Sequence, residues 1–226
     1  VGNRAMTANT TGTYNTAVGA KALDANTTGN YNTAIGGQAL DGNTTGSENT
    51  AVGVNALDKN TSGNHSVAIG YAALNLNTTA HRNTAIGYEA LKASAVVGNS
   101  NASNTAVGFN AGLACTTGTA NTFIGSQCAD ANTTGSENTA LGLGSLSDNQ
   151  TGNYNTAIGF QAALNTTASN NTAIGHKALL NNTSGEGHVA IGIEALAAVT
   201  GGNHDAIAIG RNALHDHTTP GDCIAI

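Results

Sequence analysis

The sequence predicts an all-β fold, a parallel β-solenoid of about thirteen 17-residue coils. Three observations carry that expectation. A five-residue phrase, NTAIG at Asn32 to Gly36, returns from one end of the chain to the other. Its closing glycine falls at Gly2, Gly19, Gly36, Gly53, Gly70, Gly87, Gly108, Gly125, Gly142, Gly159, Gly175, Gly192 and Gly210, mostly at steps of seventeen residues. A second phrase, NTTG or a near copy, recurs between these glycines, at Asn9, Asn26, Asn43, Asn60, Asn132 and Asn182. A fixed period this short marks coils that bury apolar surface only by stacking on their neighbours.

Within one coil, the residue before the glycine is always a branched aliphatic, as at Val18, Ile35, Val52, Ile69, Ile86 and Leu141. With the preceding Ala and Thr it reads as a short strand. We expect the aliphatic column to face the core. The adjacent column is Ala17, Ala34, Ala51, Ala68, Ala85 and so on, broken by Phe123. It then falls on the opposite, outer face, where a neighbouring copy would cover it and Phe123 would be a local distortion or a plug at an interface. On this reading Ile69→Asp buries an unpaired charge and costs several kcal/mol, on the order of an uncompensated buried ion.

Past the glycine, an Ala at the third position and most often a Leu at the fourth, as at Leu23, Leu40, Leu57 and Leu74, form the second wall. The NTTG turn follows, its Asn and Gly suited to positive φ, its Asn side chains able to form hydrogen-bonded ladders along the axis. The step from Gly87 to Gly108 is twenty-one residues and inserts about four, expected as a loop within residues 92–103 on one edge. At ~4.8 Å per coil, thirteen coils make a rod of about 60 Å. Residues 1–226 read as one repeat domain. The array starts and stops within a repeat, so the expectation is a window of a longer fibrous protein that continues axially at both ends.

Composition narrows the function. Only 9% of residues are charged, the net charge is -6, and the seven Lys and Arg are not clustered, so nucleic acid and anionic membrane surfaces are unexpected partners. No run of apolar residues is long enough to span a bilayer, so this segment is not expected to insert into a membrane. Three cysteines in different columns give no disulfide framework: Cys128 reads as a buried thiol, Cys115 as exposed in the turn. Seven histidines show no metal-ligand spacing. No nucleophile, base and orienting group recur together, and no phosphate loop precedes a helix. The chain is read as a non-enzyme without a cofactor.

Three groups of residues remain as recognition candidates. Tyr71, Tyr88 and Phe109 occupy one column in successive coils, a packing ladder that could also contact a glycan. Tyr31, Glu48, His65, Glu137, Tyr154 and His204 share a column expected to form an exposed edge. Asn26, Asn43, Asn60 and Asn77 satisfy the glycosylation sequon, although the same triplet is good turn chemistry.

The copy Ser66-Val67-Ala68-Ile69-Gly70, with His188-Val189-Ala190-Ile191-Gly192 and Ala206-Ile207-Ala208-Ile209-Gly210, resembles the SVAIG repeat of YadA-like trimeric autotransporter adhesin heads. The NTAIG and NTTG phrases are also similar to repeats of phage tail-fibre proteins that end in an intramolecular chaperone. The resemblance covers the entire chain, although the adhesin repeat is shorter and lacks NTTG. It implies a left-handed parallel β-roll, three chains side by side as a homotrimer, and a place on a cell or virion surface. The expected function is a structural and adhesive fibre segment, a homotrimer stacked head to tail into a fibre and facing a host-cell, matrix or glycan receptor. The alternative is an ice-binding or glycan-binding solenoid.

Overall fold

The structure is a computed structural model that describes residues 1–95, 101–201, 205–218 and 221–226. Thirteen strands of three or four residues, from Thr16–Val18 to Cys223–Ala225, form one parallel sheet in strict sequence order. Each coil therefore contributes one strand, and identical positions pair: Thr33 with Thr50, Ala34 with Ala51, Ile35 with Val52. The register survives the irregular steps. Ile86 still pairs with Val107 across the twenty-one-residue step, and Ile158 with Ile174 across a sixteen-residue one. The extra residues thus leave the rod continuous, while residues 96–100 of the expected loop lie outside the described residues.

The expected facing of the strand is reversed. Ala34, Ala51, Ala68 and Ala85 are fully buried, whereas Ile35 is 40% exposed and Ile69 37%. The pleat sends alternate side chains to opposite faces, so Thr33 and Ile35 share the outer face and Ala34 alone points into the coil. The interior is too narrow for more. The opposite wall already fills it with Leu23, Leu40, Leu57 and Leu74, all fully buried beside Ala22, Ala39, Ala56 and Ala73. Phe123 follows the same rule, and it is a core residue, not a plug at an interface. With Ile69 on the outside, the expectation for Ile69→Asp also changes: unfolding by a buried charge is no longer anticipated.

Positive φ appears in places the turn reading did not name. Neither Asn43 nor Gly46 of NTTG adopts it, whereas Gln38, Leu40 and Glu48 of the same coil have φ of 59°, 52° and 60°. The alternation after the glycine turns successive N–H groups up and down the axis. The N–H of Gln38 donates to the Ala20 carbonyl of the coil before, and that of Leu40 to the Ala56 carbonyl of the coil after. Inter-coil bonds offset the cost of non-glycine residues in the left-handed region, roughly 1–2 kcal/mol each.

Polar atoms fill what the Ala and Leu columns leave. Nδ2 of Asn43 donates to Oδ1 of Asn26 at 2.8 Å, and Nδ2 of Asn60 to Oδ1 of Asn43 at 2.7 Å, the expected ladder. A second ladder was not anticipated. The backbone N–H of Asn49 donates to Oδ1 of Asn32 at 3.0 Å, and the pattern repeats at Asn121, Asn138 and Asn155. Both ladders converge on the turn glycine. The Gly46 carbonyl accepts Nδ2 of Asn43 at 3.0 Å and Nδ2 of Asn32 at 2.8 Å. A Cβ at Gly46 would lie 2.3 Å from Oδ1 of Asn43 and 2.5 Å from the Gly63 carbonyl oxygen. Glycine is needed there for close approach, and asparagine for its amide.

His188 replaces Asn in the second ladder and is fully buried. Its Nδ1 accepts the Ala206 N–H at 3.3 Å, while Nε2 has no partner among the described residues. Burial lowers its pKa from the usual 6.5, only partly opposed by Asp205. The unfolded chain therefore takes up the proton first as pH falls, so this group's contribution is complete above pH about 6.5 and is lost progressively below it. We expect thermal melts between pH 7.5 and 5 to show this loss in the wild type and a flatter dependence in His188→Asn, which restores the ladder amide. An unchanged slope would remove His188 as the cause.

Candidate functional site

The largest feature the fold creates is the outer face of the sheet. Val18, Ile35, Ile69, Ile86, Ile124, Leu141 and Ile209 stack along it, 36–45% exposed, with the Val52, Val107, Ile158, Ile174 and Ile191 positions half-buried between them. On the same face, two residues earlier, runs a column of strand threonines including Thr33, Thr50, Thr84, Thr105, Thr122, Thr139, Thr156 and Thr172. The turn threonines differ: Oγ1 of Thr27 and of Thr44 donates to the carbonyl one coil on, at 2.9 Å each.

Next to the aliphatic column, beyond the glycine, Val54, Tyr71, Tyr88, Phe109, Leu143, Phe160 and Ile193 are 41–49% exposed and widen the apolar stripe. Tyr71 and Tyr88 stack at 5.2 Å with planes 14° apart, Tyr88 and Phe109 at 5.4 Å and 16°. The expected packing ladder is present. Rings piled in this way turn their faces on one another and leave edges to solvent. A sugar that binds by stacking needs an open face, which this ladder does not provide between its ends.

The other sequence candidates separate cleanly. Asn26, Asn43, Asn60 and Asn77 are fully buried, and their amides are held by the neighbouring coils. The folded coil therefore offers no acceptor at these sequons. The edge column is exposed as expected: Tyr31 and Tyr154 are 58% and 57% exposed, and His65 lies 3.5 Å from Glu48. His204 lies outside the described residues.

Cys115 is a correction, buried in the Asn ladder in place of the turn amide, with Nδ2 of Asn132 3.7 Å from its sulfur. Burial pushes its thiol up to about 11, and that of Cys128, also buried, to about 11. Neither is poised as a nucleophile at neutral pH. No group of three His, Cys, Asp or Glu side chains among the described residues is arranged to hold a metal ion.

Several open concavities remain, and two of them gather polar side chains. A shallow groove of about 540 Å³ runs along the turns past Asp148, Asn165, Thr167 and Asn181, where the coil after Gly159 is one residue short. A smaller one, of about 290 Å³, lies beside His65, His81 and Arg82. Comparison of the chain with protein-family models, curated proteins and solved structures gives no match.

Proposed function

We propose that the chain is a structural and adhesive segment of a surface fibre, with the solenoid as a stiff spacer that three copies share side by side. The observation that supports this reading is the uninterrupted apolar stripe on the outer sheet face. A stripe roughly 60 Å long and about 10 Å wide, from strand spacing and rise, matches or exceeds the apolar patches that isolated chains leave in water. Association through that face buries it without altering any coil, and adds along the rod with each repeat. The count of three and the place on a cell or virion surface rest on the resemblance to adhesin heads and tail fibres. The Ala column, expected on the outer face, is interior and has no part in it.

Sedimentation equilibrium tests the proposal. The wild-type chain is expected as a stable trimer at micromolar concentration. Ile69→Asp combined with Ile124→Asp should give a monomer whose circular dichroism is unchanged, because the two half-exposed positions lie three strands apart and each substitution costs only about 1 kcal/mol. A monomeric wild type would end the reading.

One observation favours a second reading. The strand threonines form a regular array of hydroxyls and methyls beside the aliphatics on one face, an arrangement suited to ordering water as an ice-binding surface. The two readings use the same face and exclude each other. Thermal hysteresis from a monomeric chain, lost in Thr84→Lys, would select the second.

A further inference from the structure

On the edge just before the strands, successive coils bring together groups suited to hold an anion. Asn64, His65, His81, Arg82 and Asn101 line the 290 Å³ concavity. The ladder bonds that build the edge consume its acceptors. Oδ1 of Asn64 accepts the Ser47 N–H at 2.6 Å, which leaves the amide's N–H donors. The Asn64 N–H in turn donates to Nδ1 of His81 at 2.9 Å, and this bond assigns the neutral ring's proton to Nε2. The Asn64 carbonyl is taken by the Arg82 N–H at 3.0 Å.

Arg82 supplies the charge. Its guanidinium has no ion-pair partner among the described residues, unlike Arg4, Lys59 and Lys92, each held by a carboxylate at 2.8 Å. The nearest carboxylate in the column, Glu48, is two coils away and is met by His65 at 3.5 Å. The lining residues therefore carry a guanidinium fork, imidazole and amide donors. Arg offers oxyanions a planar, bidentate match. The chain's net charge of -6 opposes anions in general, so binding here must come from this local arrangement.

The geometry points to a binding site for an oxyanion, the carboxylate or sulfate group of a ligand the size of one sugar ring. Its volume lies just below the range of drug-sized pockets, enough to seat one sugar ring.

Calorimetric titration of the intact chain with sodium sulfate, sodium glucuronate and neutral glucose tests the inference. Saturable millimolar binding of at least one anion is expected. Sulfate alone identifies a free tetrahedral anion as the ligand, and glucuronate identifies a saccharide carboxylate. Arg82→Gln should weaken that binding by about tenfold or more, the loss of a charge-assisted bidentate contact. Gln suits the backbone there, since Gln38 and Gln127 adopt the same positive φ. His81→Asn should weaken it about threefold through loss of one donor, because Asn keeps an acceptor for the Asn64 N–H, as Asn30 does for Thr13. Unchanged thermal melts for both variants secure the comparison. Absence of saturation by both anions, indifference to Arg82→Gln, or glucose binding as tight as glucuronate would overturn it.

Discussion

Replacing Gly70 by alanine is expected to cost more than about 4 kcal/mol, the range reserved for substitutions with a specific structural cause. The cause is double. Gly70 has a φ of +129°, which L residues rarely adopt, and a Cβ there would lie 2.4 Å from the Gly87 carbonyl oxygen and 2.7 Å from its carbon. Neither atom can yield, because both belong to the backbone of the next coil, and that coil is fixed by its own neighbour. Gly210 separates the two terms. Its φ is +127°, yet nothing among the described residues lies within 4 Å of its Cβ position. Gly210→Ala should therefore show strain alone, about 1–3 kcal/mol. Urea denaturation of the two variants measures the difference. Equal losses would mean that close stacking is not what fixes the glycine column.

The repeat was legible because a stack of identical coils writes its period into the chain. Any residue tied to a coil-to-coil contact must recur, so the glycine column, the strand and the Asn43-type ladder all showed. Facing was harder to read. β-branched residues suit both a buried strand and a half-exposed one, and Ile35 was assigned inward because aliphatics usually go there. The sharper signal was the monotony of the neighbouring column. A site that accepts almost nothing but Ala is one where a methyl touches an opposing wall, whereas the Ile35 column varies among Val, Ile and Leu.

Positive φ at Leu40 and Glu48 was hidden for a related reason. Tertiary hydrogen bonds override residue preference there, and Gly or Asn is too sparse to mark the columns, with Gly112 in the first and Asn170 and Gly187 in the second. The basic concavity was missed although His65 and Arg82 share the edge column one coil apart, because His81 sits one position earlier and only stacking brings the three together around one hollow. The aromatic ladder was readable because its members share one column. What the sequence could not convey was the direction its ring faces would take.

Phe123 provides the most stringent test of that core. It occupies the Ala column and is fully buried, so its volume must come from elsewhere. The Leu column supplies it: where other coils carry Leu, the coil before has Gly112 and Phe123's own coil has Ala129. A Cβ at Gly112 would lie 2.7 Å from Cδ2 of Phe123 and 3.0 Å from Cδ2 of Leu91. Phe123→Ala should leave a cavity and cost about 3–5 kcal/mol. Gly112→Leu should overpack against the ring and cost about 1–3 kcal/mol or more. Together they rebuild the ordinary coil. The backbone already permits it, because Gly112 has a φ of 59° and Leu23, Leu40 and Leu57 occupy the same position at 56°, 52° and 50°. The double variant should therefore recover most of the loss, with a coupling of at least about 2 kcal/mol. Strict additivity in urea denaturation would mean that the ring does not fill the space the missing leucine leaves, and that this coil packs by some other arrangement.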